Sequence, residues 1–406
     1  MRPRPTDRAA APRGQKTGMK VCILCSDHAP SDPRVFHKEA RTLVRAGYEV
    51  TLICPSEKGT GWVDGVQVRG FPRTRSLLLR PLNWWRILSL LRDEPADLYH
   101  FHDPDLLFVG LLLSKLTRRP VIYDCHEHYA GAIMSDVRIP SAGRGLLARL
   151  YGFVESGIAA QLAAVIVASI DENGERRFHR ARNLTLIRNF PWVEMFQAPP
   201  AALERKPQLL YLGQINESHR HVSILLEMLA LLRHKDVSLL LVGPTDREET
   251  RERLETLVRD RGLGERVQFV GRVPYETVRT YMSESLIGLL PLRPVPRWDA
   301  DIPTKMFEYM ASELPFVVSD LPQPRRFVQE SGAGVLVEPE SAQAFADAVD
   351  HLLEHPDEAR RMGQLGRAAF LRDYTWDRES RKLLDLYERL LHREGRPTRR
   401  ETTRRR

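Results

Sequence analysis

At 406 residues the chain exceeds one ordinary core and suits two domains of roughly 150 to 200 residues each, and 42% hydrophobic content is enough to fill both. The net charge of +8 sits at the ends: residues 1–18 carry five Arg/Lys against Asp7 and residues 393–406 seven Arg against two Glu, so what lies between is near −1. That distribution excludes a domain-wide nucleic-acid surface; the ends read as disordered basic arms, and no specific nucleic acid is expected as a partner.

From Lys20 onward, short apolar runs alternate with longer amphipathic segments. Strands are predicted at 21–25 and 49–54 around a helix at 34–46, then at 97–101, 121–125, 164–168 and 184–188 with helices between them. Continuous apolar strands of this length suit a parallel sheet covered on both faces. Cys22, Cys25, Cys54 and Cys125 lie in these runs, where buried, reduced thiols are expected; Cys22-x-x-Cys25 opens no helix and has no second pair to complete a zinc site. Reduced thiols, no apolar run near the ~20 residues of a spanning helix and no apolar core before Met19 point to the cytoplasm, or to the inner face of the cell membrane as a peripheral protein.

Periodicity breaks in a Pro- and Ala-rich stretch, taken as a linker over 193–207, and the alternation then restarts. Strands are expected at 208–213, 238–243, 267–271, 286–290, 316–319 and 334–337, with helices at 222–232, up to 261, and at 275–282, 341–354 and 357–374. The domains are thus 19–192 and 208–374, followed by a helix over 375–392 that returns toward the first. The fold class is α/β, with two doubly wound, Rossmann-like parallel-sheet domains facing a cleft, where ligands gather beyond the carboxyl ends of the strands.

The densest local signal is Asp301-Ile302-Pro303-Thr304-Lys305-Met-Phe-Glu308-Tyr-Met-Ala311. Pro303 suits a first helical turn, where unsatisfied N–H groups and the positive dipole end attract an anion. Lys305 adds a formal charge, and Glu308, one turn on, can accept hydrogen bonds from a diol such as a ribose. The alternative is an amphipathic helix with Met306, Phe307 and Met310 in a core and Lys305 and Glu308 solvated. Asp301 can also serve as the helix cap. Asp103-Pro-Asp105 has the look of a metal-binding pair, although Asp before a helical Leu run more often caps it.

In order and at domain-scale spacing, Gly213, Leu241-Val-Gly243, Val267-x-Phe-Val-Gly271, Pro303-x-Lys305-x-x-Glu308 and Pro315-x-Val-x-Ser-Asp320 resemble the GT-B glycosyltransferases, specifically the retaining family numbered 4. Asp32-Pro-Arg34-Val35 with Glu39, His102-Asp103 and Tyr123-Asp-Cys-His126-Glu127 match one of its subgroups, so the likeness spans about 19–391. The resemblance implies a nucleotide diphosphate sugar on the second domain, held by Gly213, Gln214, Arg220, Gly243 and the stretch Asp301, Ile302, Pro303, Thr304, Lys305 and Glu308. Glu308 would meet the ribose, and Arg220 and Lys305 the diphosphate. His126 matches the family's active-site histidine, and Asp32, Arg34, His102 and Glu127 fall on the acceptor side. No metal or other cofactor is implied.

Two departures stand out: Gln214 replaces the family's first cation, and Ala300 falls where many members carry a first Glu. They favour the alternative of a catalytically silent GT-B scaffold that binds a nucleotide sugar or a partner. An epimerase would show more acids and histidines, a phosphorylase a pyridoxal lysine motif. The leading expectation is retaining transfer of a sugar to a hydroxyl of a glycan, glycolipid or other acceptor in cell-surface polysaccharide or glycoconjugate synthesis. Residues 73–92 mix Arg with Trp84, Trp85 and Leu, which suits either an anionic membrane surface or a helix buried on the sheet with its Arg side chains snorkelling.

Overall fold

The computed structural model describes residues 18–57, 59–74, 80–125, 129–135, 139–169, 177–196, 205–299 and 301–394. Outside them lie most of both basic ends, the middle of the expected linker, part of the 73–92 segment, and His126, Glu127 and Ala300. The chain forms two compact units, one of residues 1–127, 149–187 and 380–406, the other of 128–148 and 188–379.

In the first unit, β1 (Lys20–Leu24), β2 (Glu49–Pro55), β3 (Gly61–Val63), β4 (Val66–Phe71), β5 (Leu98–Phe101), β6 (Val121–Cys125), β7 (Ala164–Val167) and β8 (Leu184–Leu186) form a sheet ordered β3-β4-β2-β1-β5-β6-β7-β8. All its pairings are parallel except β3 with β4. Val21 to Leu24 and Val121 to Cys125 are buried on both faces, as apolar runs interrupted only by Asp124 require. The β3–β4 hairpin was not anticipated: its Asp64-Gly65 turn has φ of 48° and 81°, the left-handed pair that two-residue hairpins favour, but β3 is wholly exposed and carries no alternation. The helix expected at 34–46 opens with wide i→i+5 bonds over Val35–Ala40, Glu39 N–H donating to the Arg34 carbonyl at 3.0 Å, before an ordinary turn at Arg41–Arg45.

In the second unit, β9 (Gln208–Leu212), β10 (Ser238–Val242), β11 (Val267–Gly271), β12 (Ile287–Leu290), β13 (Phe316–Ser319) and β14 (Gly334–Val337) form an all-parallel sheet ordered β11-β10-β9-β12-β13-β14. The period of two sorts its side chains: Leu210, Leu212, Leu240 and Val242 join one core, Leu209, Tyr211, Leu239 and Leu241 the other. Each such buried side chain contributes about 1.5–3 kcal/mol. The strand order reverses between β9 and β12, the kind of place where doubly wound sheets bind ligands.

The boundaries depart from the expected 19–192 and 208–374. Residues 128–148 group with the second unit because the Tyr129–Ser135 helix packs on the Pro296–Asp299 turn. Residues 188–196 do so because Arg188 N–H donates to Glu379 Oε2 at 2.9 Å, Val193 N–H to Asp377 Oδ2 at 3.2 Å, and the Pro191 carbonyl accepts from Trp376 N–H at 2.8 Å. The final helix, Trp376–Glu394, is divided: from Ser380 it belongs to the first unit, where the Tyr387 hydroxyl lies 2.8 Å from His100 Nδ1.

Candidate functional site

The expected donor residues of the second unit gather at the carboxyl ends of its strands. Gly213 follows β9 and Gly243 follows β10, with φ of 150° and 143°. A Cβ on Gly243 would stand 1.8 Å from the Gly213 carbonyl oxygen, so the two strand ends approach as only glycine allows. Arg220 lies over this point, its Nη1 3.3 Å from a Cβ built on Gly213. Asn216 pins the loop by accepting the N–H groups of His219 and Arg220 at 3.3 and 3.2 Å, while the Trp298 indole donates to the His219 carbonyl at 2.9 Å and its ring lies 5.6 Å beneath the guanidinium. His221, the next residue, holds a left-handed φ of 44°, local strain of the kind that clusters at working sites. Gln214 is exposed, and its carbonyl accepts the Tyr211 hydroxyl at 2.6 Å.

Lys305 and Glu308 lie on one short helix, Lys305–Ala311, whose other residues are core. The amphipathic alternative therefore describes Met306, Phe307 and Met310 correctly, but Glu308 is itself buried at 5% exposure. Lys305 Nζ donates to both Glu308 oxygens at 3.1 and 2.9 Å, and the Tyr275 hydroxyl donates to Oε1 at 3.2 Å. Lys305 Nζ also faces the Tyr275 ring, 5.7 Å from its centroid. Burial, then Glu308, pushes the Tyr275 hydroxyl's titration well up, keeping it a donor. Asp301 is not the cap: Thr304 holds that position without a side-chain cap bond, because the turn begins at Pro303, whose carbonyl accepts Met306 N–H at 3.1 Å. Ile302 packs against the core. Beside Gly243 and Gly271 opens a cavity of about 510 Å³, lined also by Thr245, Asp246, Arg247 and Arg251.

The residues expected on the acceptor side are placed differently. Arg34, 3% exposed, donates to Asp124 Oδ2 from Nε at 3.0 Å and Nη2 at 2.7 Å and pairs with Glu39 at 3.0 Å. His102 is fully buried, its Nε2 3.3 Å from Glu39 and its Nδ1 3.7 Å from Asp124. The ring of His100, on the same strand face, lies 4.6 Å away, tilted by 31°. Arg34 and His102 are thus buried in a polar core, because the two buried carboxylates require a guanidinium and imidazoles around them. Each imidazole has one nitrogen toward Glu39 and the other toward Asp124, at 3.3 to 3.9 Å, so that four potential metal ligands converge here, with Arg34 pairing with both carboxylates. Burial and Asp124 push the Glu39 carboxyl well up. Asp32 caps the helix, accepting Arg34 and Val35 N–H at 2.8 and 2.9 Å.

Asp103 holds the N-cap position before Pro104–Leu106, but its side chain makes no cap bond: the carboxylate accepts Ser26 and Asp27 N–H at 2.6 and 3.1 Å and lies 2.9 Å from His28 Nδ1. His28, partly exposed beyond β1, went unremarked in the sequence, as did Tyr275, Asn216 and Trp298. Only the Asp103 motif signalled the first of these. The thiols of Cys22, Cys25 and Cys125 are pushed up by burial, as is Cys54, to about 12.

Two parallel-sheet α/β units, the second with its polar site residues at the carboxyl ends of its strands, fit the GT-B architecture. The Glycosyl transferase 4-like domain matches residues 33–189 and the Glycosyl transferases group 1 model matches 206–355, so the chain belongs to the family 4 glycosyltransferases and is a sugar transferase. It is 29% identical to the phosphatidyl-myo-inositol mannosyltransferase of Mycobacterium leprae over 91% of this chain and 96% of that one. Identity to the GDP-mannose:cellobiosyl-diphosphopolyprenol alpha-mannosyltransferase of Xanthomonas oryzae is 23%, over 74% and 76%. Among solved structures, sucrose-phosphate synthase from Thermosynechococcus elongatus shares the fold with a TM-score of 0.74 at 20% identity, covering 92% of this chain and all of that one. Anabaena HepE in complex with UDP-glucose does so at 0.70 and 15%, over 91% and 100%.

Proposed function

We propose that the second unit binds a nucleotide diphosphate sugar and that the enzyme transfers the sugar, with retention, to a hydroxyl of a lipid-linked or glycan acceptor received by the first unit. The observation that carries this reading is the buried Glu308 carboxylate held by Tyr275 and Lys305, since an acceptor-only group fixed from one side suits a ribose diol on the other. The base would enter the cavity beside Gly243 and Gly271. Arg220 and Lys305 would meet the diphosphate, Lys305 leaving Glu308 as the ribose arrives, so that charge grows against two cations and no metal is needed. The bond from the anomeric carbon to the phosphate oxygen breaks as the bond to the acceptor oxygen forms, and the acceptor's proton passes to the departing phosphate. His126 is proposed to line the acceptor side of this reaction.

The mannosyltransferase relatives make GDP-mannose the first donor to test and a polyprenol- or inositol-lipid acceptor the first class, which would place the enzyme peripherally on an anionic membrane. Incubation with UDP-, GDP- and TDP-sugars, followed by slow donor hydrolysis, tests the reading; turnover of one donor is expected. The silent-scaffold reading, favoured by Gln214 and Ala300, predicts binding of a nucleotide sugar with no turnover of any, and that outcome would overturn the proposal.

A further inference from the structure

The Leu107–Thr117 helix of the first unit is apolar on both faces. Inward, Leu107, Val109, Gly110 and Leu113 are buried, with Gly110 so close that a Cβ would stand 2.3 Å from the Phe101 ring. Outward, Phe108, Leu112 and Leu116 are 56%, 42% and 72% exposed, and their i, i+4, i+8 spacing sets them within an arc of about 80°. The stripe continues onto the Arg80–Leu91 helix, whose Trp84 ring lies 6.5 Å from Phe108 and whose Leu82 and Trp85 are 42% and 66% exposed. A helix apolar all round expects a second apolar medium.

Charge indicates which medium. Residues 80–92 and 106–123 hold Arg80, Arg86, Arg92, Lys115, Arg118 and Arg119 and no acid. Arg80 and Arg86 are engaged internally, with Asp27 and Asp105 and with Pro72 and Thr74. Arg119 pairs with Asp97 at 3.7 Å, while Lys115 and Arg118 are exposed beside Leu116 at the helix end. Pairing of this face with a second copy would bring those cations together, whereas anionic headgroups would neutralise them while acyl chains take the stripe. We infer that the face built by Phe108, Leu112 and Leu116, together with the neighbouring Trp85, is the surface by which the protein lies on an anionic bilayer. This rests on the proposal of a membrane-held acceptor but is tested apart from it.

The full chain is floated with phosphatidylcholine vesicles and with vesicles of phosphatidylcholine and phosphatidylglycerol, at low and high salt. Wild type should bind the anionic vesicles and keep part of that binding at high salt, which strips contacts made by basic ends alone. F108S/L116S should lose at least about tenfold in partition, since each buried apolar side chain is worth a decade or more, while L371S, at an exposed leucine of the second unit, should not. Overturning results are no binding by wild type, binding abolished by salt, equal binding by F108S/L116S, or a wild-type dimer that the double variant makes monomeric. Donor hydrolysis on the same proteins reports separately: vesicle binding without turnover sinks sugar transfer and leaves the membrane face standing, and turnover without binding does the reverse.

Discussion

Glu308 is held by Tyr275 at Oε1 and by Lys305 at both oxygens, and these neighbours have separable effects. Removing the carboxylate in Glu308→Ala should lower kcat/KM for the donor by about tenfold to a few hundredfold, the worth of one or two hydrogen bonds to a charged group. Tyr275→Phe removes only the orienting hydroxyl. It should raise donor KM about three- to tenfold with kcat nearly unchanged, as steady-state kinetics at saturating acceptor would show; an equal fall in both parameters would assign Tyr275 to the reaction itself. Asp103 carries a pH signature: burial raises its pKa, but His28 and the N–H groups of Ser26 and Asp27 outweigh that and hold it below the usual carboxylate range. A depressed folded pKa contributes stability that is present above the unfolded value of about 3.9 and is lost as pH falls through the folded one. The stability gap between wild type and Asp103→Asn, measured by urea unfolding, should therefore be widest near neutrality and narrow below about pH 4.

At the scale of elements, the central parallel strands were legible because both their faces are buried, leaving runs such as Leu239 to Val242 without a polar interruption. The short helix at Lys305 was legible as well, its Pro303 marking where the turn begins. What could not be read was which way polar residues point: Arg34 and His102 stand at strand and helix ends, where side chains usually meet solvent, and only the tertiary pairing of β5 with β6 brings His102 and Asp124 together beside Glu39. Trp298 belongs to a turn that no periodicity announced, and Tyr275, although it opens the helix expected at 275–282, carried no sign that it reaches Glu308. The Gly213–Gly243 contact illustrates the reverse, a motif glycine whose reason appears only in three dimensions. Gly243→Ala should destabilise by at least about 3 kcal/mol in urea unfolding, or prevent folding, through strain and the displaced β9 end.

For the whole molecule, composition and alternation indicated two α/β units as continuous stretches, whereas the chain leaves and re-enters each compact unit. Residues 128–148 and 188–196 are joined to the second unit by helix packing and single backbone bonds, interactions that leave no compositional trace. The same holds at the far end, where Tyr387 enters the polar core of the first unit. Tyr387→Phe should cost about 1–2 kcal/mol, read as a lowered midpoint of unfolding, by leaving the buried His100 nitrogen without that hydroxyl.

That late contribution also fixes an order of events during synthesis. A ribosome that has already made all eight strands of the N-terminal sheet has still to deliver the residue that closes over His100, nearly three hundred positions downstream: 287 by sequence separation. Until then the nascent lobe carries its buried acids, guanidinium and imidazoles under an unfinished lid, so that its maturation is coupled to completion of the polypeptide rather than to emergence of its own strands.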